Sequence, residues 1–180
     1  MRSANLLYKK KFNFSAILLF VVFLSGFSLA QMNSLKQLKK NTKDANVLTK
    51  SIKSSDPWTV SHLITTDELS KELKNSKSKK PVILQVGFKF LYNTGHIPGA
   101  VYTGPGSNKE GLQSLKNEVK SLKKNQNIVI YCGCCPWGHC PNIRPAYKEL
   151  KSLGFTNVKA LYIPVDFGKN WADAGYPVSK

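Results

Sequence analysis

Two short runs of β-branched and apolar residues, PVILQV (Pro81–Val86) and NIVIY (Asn127–Tyr131), place the tightest limit on what this chain can fold into. Each is too short for a helix and too continuously apolar for a strand with one wet face. Both therefore read as strands buried on both faces. Such strands belong to parallel sheets, whose connections must cross over through helices. The rest of the chain supplies those helices. GLQSLKNEVKSLKK puts Leu112, Leu115, Val119 and Leu122 on one helical stripe. TTDEL opens another helix, with Thr65 and Glu68 at capping-box spacing and Leu69 and Leu73 continuing its apolar face. IRPAYKELKSLGF reads as a helix closed by Gly154. NVKALYI adds a strand, the turn-rich GHIPGAVYTGPG surrounds a short one, and WADAG predicts a short terminal helix. No internal repeat is present. This alternation predicts an α/β domain built on a mostly parallel sheet.

The first 30 residues stand apart. Arg2, Lys9, Lys10 and Lys11 form a basic region, Phe14–Phe27 is an apolar core, and Ser28 and Ala30 are small. That order predicts a signal peptide at 1–30, cleaved after Ala30, and an exported protein, periplasmic or secreted. The apolar stretch is short for a membrane span, so no stable span is expected after cleavage. Residues 31–56, rich in Lys, Asn, Ser and Thr, read as a solvated linker, and 57–180 as the folded domain. The chain is strongly basic, with a formal charge of +17 and a pI near 9.8. Its lysines are scattered rather than interleaved with aromatic residues, and no nucleic-acid-binding module is recognisable, so no nucleic-acid partner is expected. The positive field favours small anions.

All four cysteines, Cys132, Cys134, Cys135 and Cys140, lie in the stretch YCGCCPWGHCPN, which also holds His139. Cys132 follows NIVIY directly and so falls at the carboxyl end of a strand, where ligands bind in open parallel sheets. A helix is expected to begin near Pro141 or Asn142. Its free N–H groups and dipole stabilise a thiolate or a bound anion. A cysteine so placed has a lowered pKa and becomes a nucleophile. Arg144, in the first turn, adds positive charge. Two other chemistries compete. Four thiols and an imidazole suit zinc or copper(I), although structural zinc sites usually unite two separated ligand pairs. A thiol–disulfide exchange site would normally present C-x-x-C, whereas the spacings here are C-x-C, C-C and C-x4-C. A cysteine phosphatase is excluded, because no cysteine has an arginine six positions after it.

Taken in order, VILQV, GHIPGA (Gly95–Ala100), IVIYC, AYKELKSLGFTNVKAL and WADAGYPV resemble a rhodanese domain over roughly residues 60–178. The resemblance implies a three-layer α/β sandwich around a parallel sheet. It also implies a sulfurtransferase that moves a sulfane sulfur from a small anionic donor such as thiosulfate to a thiol or other thiophilic acceptor. By position the persulfide-forming cysteine maps onto Cys132, with Cys140 as its rival because it lies closest to the helix start. Arg144 would hold the anion. The loop from Gly133 through Cys134, Cys135, Trp137 and Gly138 to His139 would cradle the substrate, its backbone N–H groups facing the persulfide. No metal and no organic cofactor are implied.

Three departures accompany the match. The family's Asp-Val-Arg is Gln85-Val86-Gly87 here, the active loop is longer and carries three extra cysteines, and YIPVDFGKN replaces the usual paired glycines. Cys134 and Cys135 could resolve or protect a persulfide, which would bring in a thiol-redox partner protein. The alternative function is metal binding or thiol–disulfide exchange by the Cys132–Cys140 cluster on the same scaffold. His96 is expected to be a hydrogen-bonded turn residue, Trp137 a lid or a loop anchor, and Trp171 core.

Overall fold

The computed structural model describes residues 28–180, so the predicted signal segment lies almost wholly outside the described residues. Two units are distinguished, one ending at Thr42 and the other running from Lys43 to Lys180. Where composition pointed to a solvated linker, a helix runs instead: α1, Leu29–Ser51. Its stretch contains neither Gly nor Pro and is rich in Lys and Leu, both good helix formers. At its start the Gln31 N–H donates to Ser28 Oγ, and the Ser28 N–H donates to Gln31 Oε1. This reciprocal pair closes a helix end. Most of α1 is exposed, and of its residues only Leu48 is buried. Among the described residues no helix is long and apolar enough to cross a membrane.

The second unit contains a five-stranded sheet, all parallel, in the order β1-β5-β4-β2-β3. The strands are β1 Leu63–Thr65, β2 Val82–Gln85, β3 Val101–Tyr102, β4 Ile128–Tyr131 and β5 Val158–Tyr162. The helices that cross between them are α2 Thr66–Lys74, α3 Lys89–Thr94, α4 Lys109–Val119 and α5 Ile143–Ser152. The expected PVILQV and NIVIY strands form the sheet's centre, paired in register from Val82–Ile128 to Gln85–Tyr131. The predicted capping box is present: the Thr65 N–H donates to Glu68 Oε2 at 2.8 Å and the Glu68 N–H to Thr65 Oγ1 at 3.2 Å. Just past the end of α5 stands Gly154, whose φ of +84° is open to glycine at no steric cost. In place of a terminal α-helix at WADAG there is a single π-type turn, Gly168–Ala172.

Side chains alternate across the sheet and split the core in two. Leu84, Ile128, Ile130 and Ala160 pack with Leu115, Val119, Ile143, Ala146, Tyr147 and Leu150 of α4 and α5. Ile83, Val129, Tyr131 and Leu161 pack on the opposite face with Leu69 of α2 and with Trp171, which is fully buried as expected. This is the three-layer arrangement that the family resemblance implied.

Candidate active site

The period-two alternation of β4 decides where the first cysteine goes. Cys132, continuing Ile128 and Ile130, belongs to the face covered by α4 and α5. Gly133 follows with φ +68°, and a Cβ there would lie 2.7 Å from Phe167 Cβ, so only glycine fits this turn. The loop then folds on itself. The Trp137 N–H donates to the Pro164 carbonyl at 3.1 Å and the His139 N–H to the Pro136 carbonyl at 2.8 Å. A 3-10 turn at Trp137–His139 returns the chain to Cys140, and α5 begins at Ile143.

Three sulfurs converge. The Sγ atoms of Cys132, Cys134 and Cys140 all lie within 4.8 Å of one another. Cys132 and Cys134 are 3.1 Å apart, and Cys134 and Cys135 3.0 Å. All four cysteines are free thiols, with Cys132 and Cys140 buried and Cys134 and Cys135 half-buried. Asn142 orders this cluster. Its side chain is wholly buried, its Oδ1 accepts from the Ser107 N–H at 3.1 Å, and its Nδ2 donates to Cys132 Sγ at 3.3 Å and points at Cys134 Sγ, 3.8 Å away. From the sequence Asn142 was legible as a helix start but not as a sulfur ligand. The signal was an amide placed where the strand-end cysteine and the helix meet.

The departure at Gln85-Val86-Gly87 also finds its reason here. Gln85 is buried, donates from Nε2 to the Cys132 carbonyl at 3.4 Å and accepts the Gly87 N–H at 3.2 Å. A Cβ on Gly87 would come within 3.0 Å of Cys132 Sγ and 2.8 Å of Gln85 Nε2. Gly87 thus leaves the room in which the sulfur stands. Gly87→Ala is expected to displace Cys132 Sγ and slow its reaction with electrophiles by roughly 10²-fold, the order found when a reacting atom is misplaced by about 1 Å. Stopped-flow labelling of the variant checks this; an unchanged Cys132 rate would show that the sulfur does not need that space.

Charge is unevenly divided among the thiols. Cys140 is pulled down to about 3 by hydrogen bonds from Cys132 and Cys134, against the cost of burial, with further help from the Asn142 and Ile143 backbone N–H groups. Cys132 stands at about 12: its contact with Cys134 lowers it, but its bond to Cys140, burial and the Cys140 charge raise it more. Cys134 is pushed up by its bonds to Cys132 and Cys140 and by burial. Cys135 is raised to about 12 by burial and by its sulfur neighbours. Of the four thiols, Cys140, just ahead of α5, is the one whose surroundings favour the thiolate.

Linkage gives the sign of the pH response. Because the folded Cys140 value lies below the ordinary 9.0, its contribution to stability is complete above pH 9 and is lost as pH falls toward 3. Cys132, raised above 9.0, has the opposite effect, costing stability between pH 9 and 12. Cys140→Ala is expected to flatten the acid-side slope in urea titrations between pH 4 and 8, a window inside the cited range. An unaltered slope would place the thiolate elsewhere.

A cavity of about 600 Å³ opens beside the cluster. It is lined by Gln85, Tyr131, Cys132, Gly133 and Cys134, together with Asp166, Phe167 and Lys180. The last three were not anticipated as site residues. Cys135, Trp137 and Cys140 instead line a void of only about 10 Å³ behind Cys132.

Arg144 does not serve the anion-holding role expected of it. Its Nε donates to Asp56 Oδ1 at 2.6 Å and its Nη1 to the Trp137 carbonyl at 3.1 Å. The guanidinium lies over Trp58 and Trp137, 5.4 and 5.8 Å from the ring centroids, and it lines neither cavity. An unforeseen carboxylate at Asp56 captures it. Trp137 is a buried anchor, packed against Trp58 and Tyr162, rather than a lid. Gly138 uses its carbonyl to accept from Lys53 Nζ, and His139 is exposed outside both cavities. The Trp137 and His139 amides are engaged within the fold, so the loop does not offer all its N–H groups to a ligand. His96 is the expected turn residue, with Nδ1 2.9 Å from the Tyr92 carbonyl and its ring stacked on Tyr92.

Comparison with known proteins agrees with this architecture. The family model of the rhodanese-like domain matches residues 65–162. A solution structure of the rhodanese-like domain of an Anabaena sp. protein is 24% identical, with 66% of this chain and 78% of that one covered and a TM-score of 0.51. A crystal structure of the same Anabaena protein is 24% identical over 64% of this chain and 81% of that one, with a TM-score of 0.50. No curated protein matches the chain significantly.

Proposed function

Since the chain belongs to the rhodanese-like domain family, we propose that it is a sulfurtransferase in which Cys132 carries a sulfane sulfur as a persulfide. One observation supports Cys132 over the other thiols. It lines the large cavity at the strand end and accepts from Asn142 Nδ2 at 3.3 Å, whereas Cys134, on the same cavity, lies 3.8 Å from that amide. Cys140 is the thiol that its neighbours lower, but it faces only the small void, where a donor has no room.

Cys132 loses its proton to solvent in the open cavity as a donor enters and becomes the nucleophile, its anion held by the Asn142 amide. With thiosulfate, the Cys132 thiolate attacks the outer sulfur. A new S–S bond forms, the donor's S–S bond breaks, and sulfite leaves with that bond's electron pair. Charge is conserved, because the persulfide anion and sulfite carry the same total as the thiolate and thiosulfate. An acceptor thiolate then attacks the outer persulfide sulfur and regenerates the Cys132 thiolate. The Asn142 amide, 3.3 Å from Cys132 Sγ, stabilises the sulfur anion at both ends of the cycle. Lys180 on the cavity wall and the basic surface attract an anionic donor.

Thiosulfate is thus the donor class proposed, and the basic, apolar and small-residue order of Arg2–Ala30 supports export as the setting. The test is to incubate the fully reduced protein with thiosulfate and map the added sulfur by mass. A persulfide on Cys132 is expected, and a reduced protein that takes up no sulfur would overturn the reading.

A further inference from the structure

Sulfur transfer to one nucleophile uses one cysteine, or two with a proton acceptor, yet this loop brings three sulfurs to a point. Their mutual spacing within 4.8 Å lets them converge on one ion at a metal–thiolate distance of about 2.3 Å. The residues that surround them are suited to an anionic sulfur cage. Asn142 Nδ2 donates to Cys132 Sγ and points at Cys134 Sγ, and its orientation is locked by Ser107 from another loop. Cys140 stands just ahead of the ten-residue helix α5, whose first N–H groups carry positive partial charge. Cys134 is half-buried and lines the 600 Å³ cavity, which provides a route for entry.

The donor set identifies the ion. Among the described residues the converging group is entirely thiol: Cys132, Cys134 and Cys140. Cys135 is 3.0 Å from Cys134 but falls outside the mutual set, and His139 is exposed and outside it too. Zinc held structurally takes four protein ligands in a tetrahedron, and this group supplies three. Soft thiolates without nitrogen or oxygen partners select copper(I), which accepts low coordination.

We propose that Cys132, Cys134 and Cys140 form a three-coordinate binding site for a copper(I) ion. Binding exchanges the remaining thiol protons for the metal, releases them to solvent and requires no oxidant or reductant, since copper enters as copper(I). The site shares Cys132 with sulfur transfer but does not rest on that reading. Its consequence for the reaction is competition: an ion on Cys132 removes the nucleophile, so copper(I) and thiosulfate exclude each other.

The reduced full chain is titrated anaerobically with copper(I) supplied as its acetonitrile complex, against bicinchoninate as a coloured competitor. One copper(I) per chain is expected to be withdrawn from the competitor. Peptide mapping after iodoacetamide is then expected to show Cys134 protected by copper, with the alkylation of Cys135 unchanged. This wild-type readout needs no variant to fold. Cys134→Ser is expected to weaken copper retention by roughly 10²-fold or more, and Cys135→Ser by less than about threefold, taking loss of a direct ligand to cost at least as much as loss of an outer partner. Failure to compete with bicinchoninate overturns the site. So does equal protection of Cys135, or stoichiometric zinc retained in preference to copper(I). Persulfide formation on the copper-free protein is measured separately, so either reading can fail alone.

Discussion

Cys132→Ala is expected to abolish sulfur uptake from thiosulfate, lowering the transfer rate by roughly 10³-fold or more, as removal of a covalent nucleophile does. The change deletes one buried sulfur and leaves β4, the loop and α5 in place, so circular dichroism should be unaltered. Cys140→Ala should behave differently. It removes the neighbour whose hydrogen bond and charge raise the Cys132 thiol, so sulfur loading near neutral pH should be at least as fast as in wild type. The persulfide should still map to Cys132. Measuring both variants side by side separates the attacking sulfur from its neighbour. If Cys132→Ala still loads while Cys140→Ala does not, Cys140 is the attacking sulfur, and the small void behind Cys132 must open to admit the donor.

The second large effect is on stability. Arg144→Ala should destabilise the domain by about 3 kcal/mol, because it strands a carboxylate whose side chain is 0% exposed. The guanidinium itself is 21% exposed, which keeps the expected loss at the lower end of the range for buried pairs. Its stacking on Trp58 and Trp137 is lost as well. The double variant Asp56→Asn, Arg144→Ala should recover part of the loss, since no buried charge is then left unpaired. Urea denaturation reads each value. The thiosulfate KM of Arg144→Ala should stay within about twofold of wild type, because the side chain lines neither cavity. A tenfold rise in KM without a change in stability would return Arg144 to the anion-binding role suggested by its place in the sequence.

That contrast shows where local pattern stops being informative. The continuous apolar runs of β2 and β4 can be satisfied only between two layers of helices, so the parallel sheet was readable from a dozen residues. Period-two alternation carried the reading to the side chain, since Cys132 shares a face with Ile128 and Ile130. The Thr65–Glu68 box was equally legible, because its partners are three residues apart. The exposed helix α1 was missed for an opposite reason. Its composition is polar enough to read as linker, while its freedom from Gly and Pro and its Leu, Lys and Gln content favour a helix with little to pack against.

The site was legible only in part. Four cysteines in nine residues announce sulfur or metal chemistry, and a strand end followed by a helix start says where it happens. Which sulfur is charged and which meets the cavity follows from contacts between segments distant in the chain. Ser107 orients Asn142 from 35 residues away, and Asp56 draws Arg144 aside from 88 residues away. Gly87, 45 positions before Cys132, makes room for its sulfur.

The amino-acid pattern settled the fold class, the two buried strands and the address of the chemistry, because those depend on periodicity and on neighbours a few residues apart. Folding gave four similar thiols four different surroundings. A thiol's acidity and reach are set by the N–H groups, buried amides and empty space around it, and those come from loops that only the sheet brings together.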